Sequence, residues 1–285
     1  VKRISLIAVT ILVTMSLVLA ACTPAAQPTP AAEQPKPAEP TKAAEPTKAP
    51  EPTKVPEPTK AEIAKVRVAT NAEFAPFEFV DEKTKEVTGF DIELIKAIAQ
   101  KGGFEVEVIN TGFDAMLAGM AQCQYDAAIA AITITDERKQ QMLFSEPYTL
   151  AGQTVVVRKG DTSIKGSADL KGKTIGAQLG TTGAEEVTKI EGAKLKTYDN
   201  YEFAFLDLAQ GQIDAVVVDN PIASNYVSKN AEKLETVGNV FTSESYGVAI
   251  CKTKPELQAK INEGLAAAQK DGTIKALEEK WLLGK

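Results

Sequence analysis

The sequence predicts an α/β protein of two units, and three observations predict it. Short apolar strands alternate with amphipathic helices from Val66 onward, the pattern of a parallel sheet covered by helices. After Pro147 the alternation starts afresh. Between the two, Tyr125–Ala131 (YDAAIAA) is small and apolar enough for a central strand, and it gives way at Ile132–Arg138 (ITITDER) to hydroxyls and then a cation. Ligands of open α/β sheets sit beyond the carboxyl ends of strands. Two threonines and an arginine there suit a small carboxylate, because a guanidinium grips both oxygens at once. Taken locally, the same residues read equally well as a surface salt bridge from Arg138 and a threonine-capped helix opened by Asp136 and Glu137.

In the first unit Val66–Ala69 is a strand, followed by the polar and aromatic stretch Thr70–Phe79. Phe90–Lys101 sets Ile92, Ile95 and Ile98 on one face and stops at Gly102 and Gly103, an amphipathic helix. Phe104–Ile109 is a strand and Asp114–Ala121 a helix with Met116, Leu117 and Met120 inward. In the second unit Gln153–Val157 and Thr174–Gln178 are strands, and Gly180–Gly183 (GTTG) leads into a helix over about Ala184–Ile190. Leu195–Tyr198 is a strand, Phe203–Ala209 a helix, Ala215–Val218 a strand and Asn220–Lys229 a helix. The chain ends with a strand over Tyr246–Cys251 and helices over Pro255–Asp271 and Thr273–Leu283. Periodicity does not decide whether the units are sequential or interleaved.

A net charge of −6 and a pI near 5.1 argue against nucleic acid or an anionic surface as partner. The chain has no histidine, which removes the commonest general base and metal ligand. Three cysteines without CxxC spacing make no zinc site, and neither metal nor cofactor is implied. Lys2 and Arg3 precede an apolar run to Ala21, which describes a secretory signal over residues 1–21. Leu19–Cys22 resembles a bacterial lipobox, with Cys22 the lipidated first residue; an uncleaved membrane anchor is the alternative. Both readings place the rest of the chain outside the cytoplasmic membrane. Residues 22–62 follow as a linker that holds 11 of the 15 prolines and four EPTK hexads, too polar to fold. In extended polyproline form it reaches on the order of 100 Å.

The motifs ATNAEFAPFEF from Ala69, GFDIELIKAIA from Gly89, ITITDER, FSEPY from Phe144, DLKGKTIGAQLGTT from Asp169, IDAVVVDNP from Ile213 and YGVAI from Tyr246 stand in one order over residues 65–283. In this order they resemble the family 3 extracellular solute-binding proteins, which serve ABC importers of polar amino acids such as glutamine, histidine or lysine, arginine and ornithine. The resemblance implies a two-lobed periplasmic-binding-protein fold of type II. Residues 63–149 and 246–285 would form lobe 1 and residues 150–245 lobe 2, joined by crossing segments near Gly152 and Thr242–Ser245.

It also implies roles. Arg138 would hold a ligand α-carboxylate, helped by the Thr133 hydroxyl, and Asp219 would accept the α-ammonium from the opposite lobe. Asp219 is locally an equally good helix cap. Thr181 and Thr182 lie where helix amides attract a carboxylate, or merely cap a glycine turn. Phe74 and Phe113 would sandwich the ligand side chain; either ring alone reads as core. Asn71 stands where many relatives carry aspartate, Ala131 replaces a glycine or serine that meets the ligand amino group, and Gln178 replaces the lysine of glutamine-type relatives. Asn71 and Gln178 suit a neutral amide, whereas a cationic side chain needs a carboxylate, for which Glu78 and Glu73 are the candidates. Arginine, glutamine and a broader polar preference stay open.

If the return strand runs antiparallel beside Tyr125–Ala131, as the family's lobe 1 implies, Cys123 and Cys251 share one end of the sheet and a disulfide can form; two buried thiols are the alternative. The function implied is a lipid-anchored, monomeric receptor that delivers its amino acid to an ABC permease. An extracytoplasmic dehydratase of cyclohexadienyl amino acids on the same fold, and a sensory receptor, are the alternatives.

Overall fold

The computed structural model describes residues 65–283, so the secretory signal, Cys22 and the proline-rich linker lie outside the described residues. Two five-stranded sheets form two lobes.

In lobe 1, β1 (Lys65–Thr70) runs parallel to β5 (Glu105–Asn110) on one side and to β6 (Ala127–Ala128) on the other. β15 (Ala249–Cys251) lies antiparallel to β6 and to the edge strand β7 (Met142–Phe144). β15 comes from the far end of the sequence, so the lobes are interleaved. α1 (Phe90–Gly102) buries Ile92, Leu94, Ile95 and Ile98 and stops where Gly103 turns left-handed. α7 (Pro255–Lys270) and α8 (Thr273–Trp281) pack against it. α2 (Phe113–Ala121) covers the other face through Met116 and Met120.

In lobe 2, β10 (Thr174–Gln178) runs parallel to β11 (Lys194–Tyr198) and β12 (Ala215–Asp219). β9 (Gln153–Arg158) lies antiparallel between β12 and β13 (Leu234–Val237). All five residues of β12 are buried, as its unbroken apolar run requires of a central strand. α4 (Thr182–Thr188), α5 (Tyr201–Ala209) and α6 (Asn220–Lys229) follow β10, β11 and β12 in turn.

The crossings are β8 (Thr149–Ala151) and β14 (Glu244–Tyr246), which pair antiparallel with Leu150 opposite Ser245. Beside them a Cβ on Gly152 would lie 2.3 Å from the Thr242 carbonyl oxygen, so no larger residue fits that position.

Five features differ from the pattern expected of the sequence. The strand expected over Tyr125–Ala131 is laddered only at Ala127–Ala128, and the chain turns left-handed three residues later, at Ala131 (φ 46°). The strand expected over Tyr246–Cys251 is two strands. Gly247 donates to Ile132 O and Val248 to Ser145 Oγ, so the chain changes partners between crossing and sheet. The stretch Thr70–Phe79 and its sequel carry a small sheet of β2 (Glu73–Phe74), β3 (Glu78–Val80) and β4 (Val87–Thr88), whose strands are too short for an alternation to register. α4 begins at Thr182 rather than Ala184, since the Thr181 hydroxyl caps it by accepting from the Ala184 amide at 3.2 Å. α5 likewise begins at Tyr201, behind an Asn200 cap.

Candidate ligand-binding site

The carboxyl ends of β1, β6, β10 and β12 face one another across the space between the lobes, and the residues singled out in the sequence gather there. Arg138 sits in α3 (Asp136–Gln141), six residues capped by the Thr135 hydroxyl. Its side chain turns back under the helix. Nη1 donates to Thr133 O at 2.8 Å, and Nη2 crosses to Gly180 O in lobe 2 at 2.9 Å. Gly180 is left-handed (φ 79°), which aims that carbonyl at the guanidinium. The guanidinium also lies over the Phe113 ring, 5.7 Å from its centre. Arg138 is 7% exposed and makes no ion pair among the described residues. Burial therefore pulls its pKa down. A buried cation without a partner is costly, and its remaining N–H groups can receive an anion.

Asp219 stands opposite, at the end of β12. It occupies the cap position of α6 but makes no capping bond; its Oδ1 accepts from the Tyr246 hydroxyl at 2.8 Å. Burial pushes its pKa up to about 7, the charge of Glu244 adds to the rise, and the Tyr246 hydroxyl opposes it.

Asn71 and Gln178 meet directly. Gln178 Nε2 donates to Asn71 Oδ1 at 3.0 Å and to Asp199 O at 2.9 Å, while Asn71 Nδ2 donates to Thr111 O at 3.1 Å. Gln178 Oε1 stays buried without a partner. Phe74 meets Tyr201 of lobe 2 edge to face at 4.6 Å, and the Tyr201 hydroxyl is buried and unpartnered. The structure thus pairs Phe74 with Tyr201 and Phe113 with Arg138. Thr181 donates to Gln178 O at 2.8 Å while capping α4, so its hydroxyl is engaged locally. Thr133 and Thr182 both donate to Glu244, at 2.8 and 2.9 Å. The Thr133 hydroxyl proton is therefore directed at Glu244 rather than into the cleft. Ala131 offers no side-chain polar group, and its amide donates to buried Asp91 Oδ2 at 2.7 Å.

Glu78 is fully buried and both its oxygens lack a donor. Burial raises its pKa well above the usual range, and neighbouring Asp91 and Asp219 raise it further. Asp91 is pushed up to about 6 by burial, against the Ala131 amide and the Tyr148 hydroxyl that bond it. Of the two candidate carboxylates Glu78 is the buried one; Glu73 is exposed on β2, with its Oε2 accepting from Asn71 Nδ2 at 3.4 Å. Tyr201, Gln153, Tyr246 and Glu244 were not legible as site residues; none belongs to a local pattern of functional groups.

Cys123 and Cys251 are joined by a disulfide (Cα–Cα 4.9 Å), which ties β15 to the turn after α2.

The model of the bacterial extracellular solute-binding proteins, family 3, matches residues 66–284. The L-cystine-binding protein TcyJ of Escherichia coli (strain K12) is 38% identical over 216 residues, covering 75% of this chain and 81% of that one. An ancestral arginine-binding protein bound to arginine is 45% identical, with a TM-score of 0.73, over 76% of this chain and 98% of that chain. The ancestral arginine-binding protein bound to glutamine gives the same identity and TM-score over 77% and 98%. An ancestral amino-acid-binding protein described as a precursor of cyclohexadienyl dehydratase is 39% identical, TM-score 0.71, over 77% and 96%. A match over the whole described region, with the motifs in family order and the lobes built as above, assigns the chain to the bacterial extracellular solute-binding proteins, family 3.

Proposed function

We propose that the protein is the extracytoplasmic receptor of an ABC importer and captures a polar amino acid between its lobes, arginine in preference to glutamine. Residues 63–149 with 246–285 act as one lobe and 150–245 as the other, Cys22 carries the lipid that holds the receptor at the membrane, and an ABC permease takes the ligand from it. The observation that carries this reading is the set of buried ionisable side chains. Among the described residues the buried carboxyls are Glu78, Asp91 and Asp219, and the single buried cation is Arg138. Asp91 is bonded to lobe 1 backbone and to Tyr148, whereas both oxygens of Glu78 lack a donor and Asp219 accepts from the Tyr246 hydroxyl, so two carboxyls are set against one guanidinium. A ligand with one carboxylate, one ammonium and a cationic side chain complements that set. Its carboxylate goes to Arg138 and its ammonium to Asp219; its guanidinium meets Glu78, with Gln178 Oε1 and the Tyr201 hydroxyl as further acceptors. The arginine and glutamine complexes of the ancestral relative support the same pair of ligands. Binding without turnover is the reading, in keeping with the relatives' names and with a chain that has no histidine.

Thermal unfolding against a panel of arginine, lysine, ornithine, histidine, glutamine, citrulline and cystine tests it. Ligand at about 100 times its Kd adds about 2.7 kcal/mol, or roughly 5 to 10 °C. Arginine should give the largest shift; no shift with any of them would refute the receptor reading.

A proton test separates arginine from glutamine. Without ligand, burial and two neighbouring carboxyls shift Glu78 toward its protonated form. A guanidinium beside it reverses that preference, so arginine expels the proton, and binding that releases a proton strengthens as pH rises. Asp219, near 7, releases its proton to solvent when the ammonium of any amino acid binds beside it. The log affinity for arginine should therefore climb with pH more steeply than that for glutamine, by up to about one unit per pH unit. Calorimetry in buffers of different ionisation enthalpy measures the difference. Glu78→Gln should abolish it and cost arginine about tenfold to a hundredfold while sparing glutamine; equal slopes for both ligands in the native protein would remove Glu78 from the arginine site.

A further inference from the structure

Glu244 opens β14 in the second crossing. Its Oε2 accepts from Thr133 Oγ1 of lobe 1 at 2.8 Å and from Thr182 Oγ1 of lobe 2 at 2.9 Å, with Gln153 Nε2 at 3.4 Å. Its Oε1 accepts from Thr242 Oγ1 at 2.8 Å, and Thr242 Oγ1 in turn accepts from the Gln153 amide at 2.7 Å. Gln153 Nε2 also donates to Thr182 Oγ1 at 3.1 Å. An ionised carboxylate only accepts, so it fixes the direction of every hydroxyl around it. Thr133 and Thr182 are 5% and 7% exposed, leaving little water to take over those bonds. The two threonines stand on different lobes, 49 positions apart in the chain, and their oxygens are 3.4 Å from each other.

We propose that Glu244 is a clasp for the closed state. A carboxylate on the crossing can hold hydroxyls from both lobes only while the lobes are together, and opening must give up at least one charge-assisted bond in a poorly hydrated place. The clasp biases the protein toward closure before ligand arrives, and slows opening once ligand is inside. It also has a chemical consequence for the site: both threonine hydroxyls are engaged by Glu244 and must turn away from it to meet a ligand carboxylate. Glu244 is thus a positioning residue, acting through the lobe equilibrium rather than by touching ligand.

This inference deepens the receptor reading and rests on it for its kinetic arm. With L-arginine as probe, Glu244→Ala should raise the dissociation rate on the order of tenfold to a hundredfold, with a much smaller change in association rate. Glu244→Gln, which retains one acceptor oxygen, should fall between. In a Thr133→Val, Thr182→Val background, Glu244→Ala should add little, since the bonds it removes are already gone. Without ligand, spin labels on the two lobes should report longer distances in Glu244→Ala than in the native protein. A dissociation rate and a ligand-free distance both unchanged in Glu244→Ala would overturn the clasp. So would an undiminished effect in the double-valine background. Should no amino acid bind the native protein, the receptor reading fails by itself, and the ligand-free distances alone decide the role of Glu244.

Discussion

Arg138→Ala is expected to lower the affinity for L-arginine by about two to nearly four orders of magnitude, measured by titration calorimetry. Removing one member of a desolvated, hydrogen-bonded charge pair costs about 3 to 5 kcal/mol, mostly because the other charge is left buried alone. Arg138 fits that case closely: it is buried, unpaired without ligand, and held in place by two carbonyls on different lobes. The ligand-free protein should suffer far less, because two effects oppose each other. Thr133 O and Gly180 O lose their donors, and an uncompensated buried cation disappears. Arg138→Lys separates charge from shape. An ammonium is a point charge and cannot bond both carbonyls while presenting parallel N–H groups, so lysine should recover only part of the loss. An Arg138→Ala protein that binds arginine within threefold of the native affinity would move the carboxylate site elsewhere in the cleft.

The second large effect is on stability. Cys123→Ser with Cys251→Ser opens a loop of 128 positions. Closing a loop of that length removes about 5 kcal/mol of chain entropy from the unfolded state. For a domain of this size that is roughly 10 to 20 °C in Tm. Reductant should give the same decrease in the native protein and none in the serine variant. Affinity for arginine should change little, since the bond lies at the end of the lobe 1 sheet away from the cleft residues. A difference in Tm under about 3 °C would mean that the bond is absent from the purified protein or that its constraint is matched by strain.

Much of the cleft was readable in the sequence because its residues sit where strands end. Arg138 follows an apolar run, Asp219 closes another, and Gly180–Gly183 marks a strand-to-helix turn. What one dimension cannot give is the direction in which a side chain leaves the backbone. Asp219 is a plausible cap by position, and only the structure shows its carboxylate turned to Tyr246 instead. Glu73 and Glu78 were equal candidates until short strands left one exposed beside Asn71 and buried the other. Glu244 could not be found at all, because its partners Thr133 and Thr182 lie 111 and 62 positions away and converge only when both lobes are folded. The shortness of β6 was hidden for a similar reason. Ala131, where the chain turns left-handed three residues past its end, has no sequence mark of such a turn, and its amide is held by the distant carboxylate of Asp91.

The interleaving of the lobes sets an order of assembly. Lobe 2 is one unbroken segment from β9 to β13, so a chain emerging from a translocation pore can complete it while the C-terminal helices are still inside. Lobe 1 cannot close its sheet until β15 has emerged and slotted between β6 and β7. Until then those two strands have bare inner edges, which invite pairing with a neighbouring chain. The half synthesised first is therefore the half finished last, and the late emergence of its final strand is the interval in which this receptor is most exposed to misassembly.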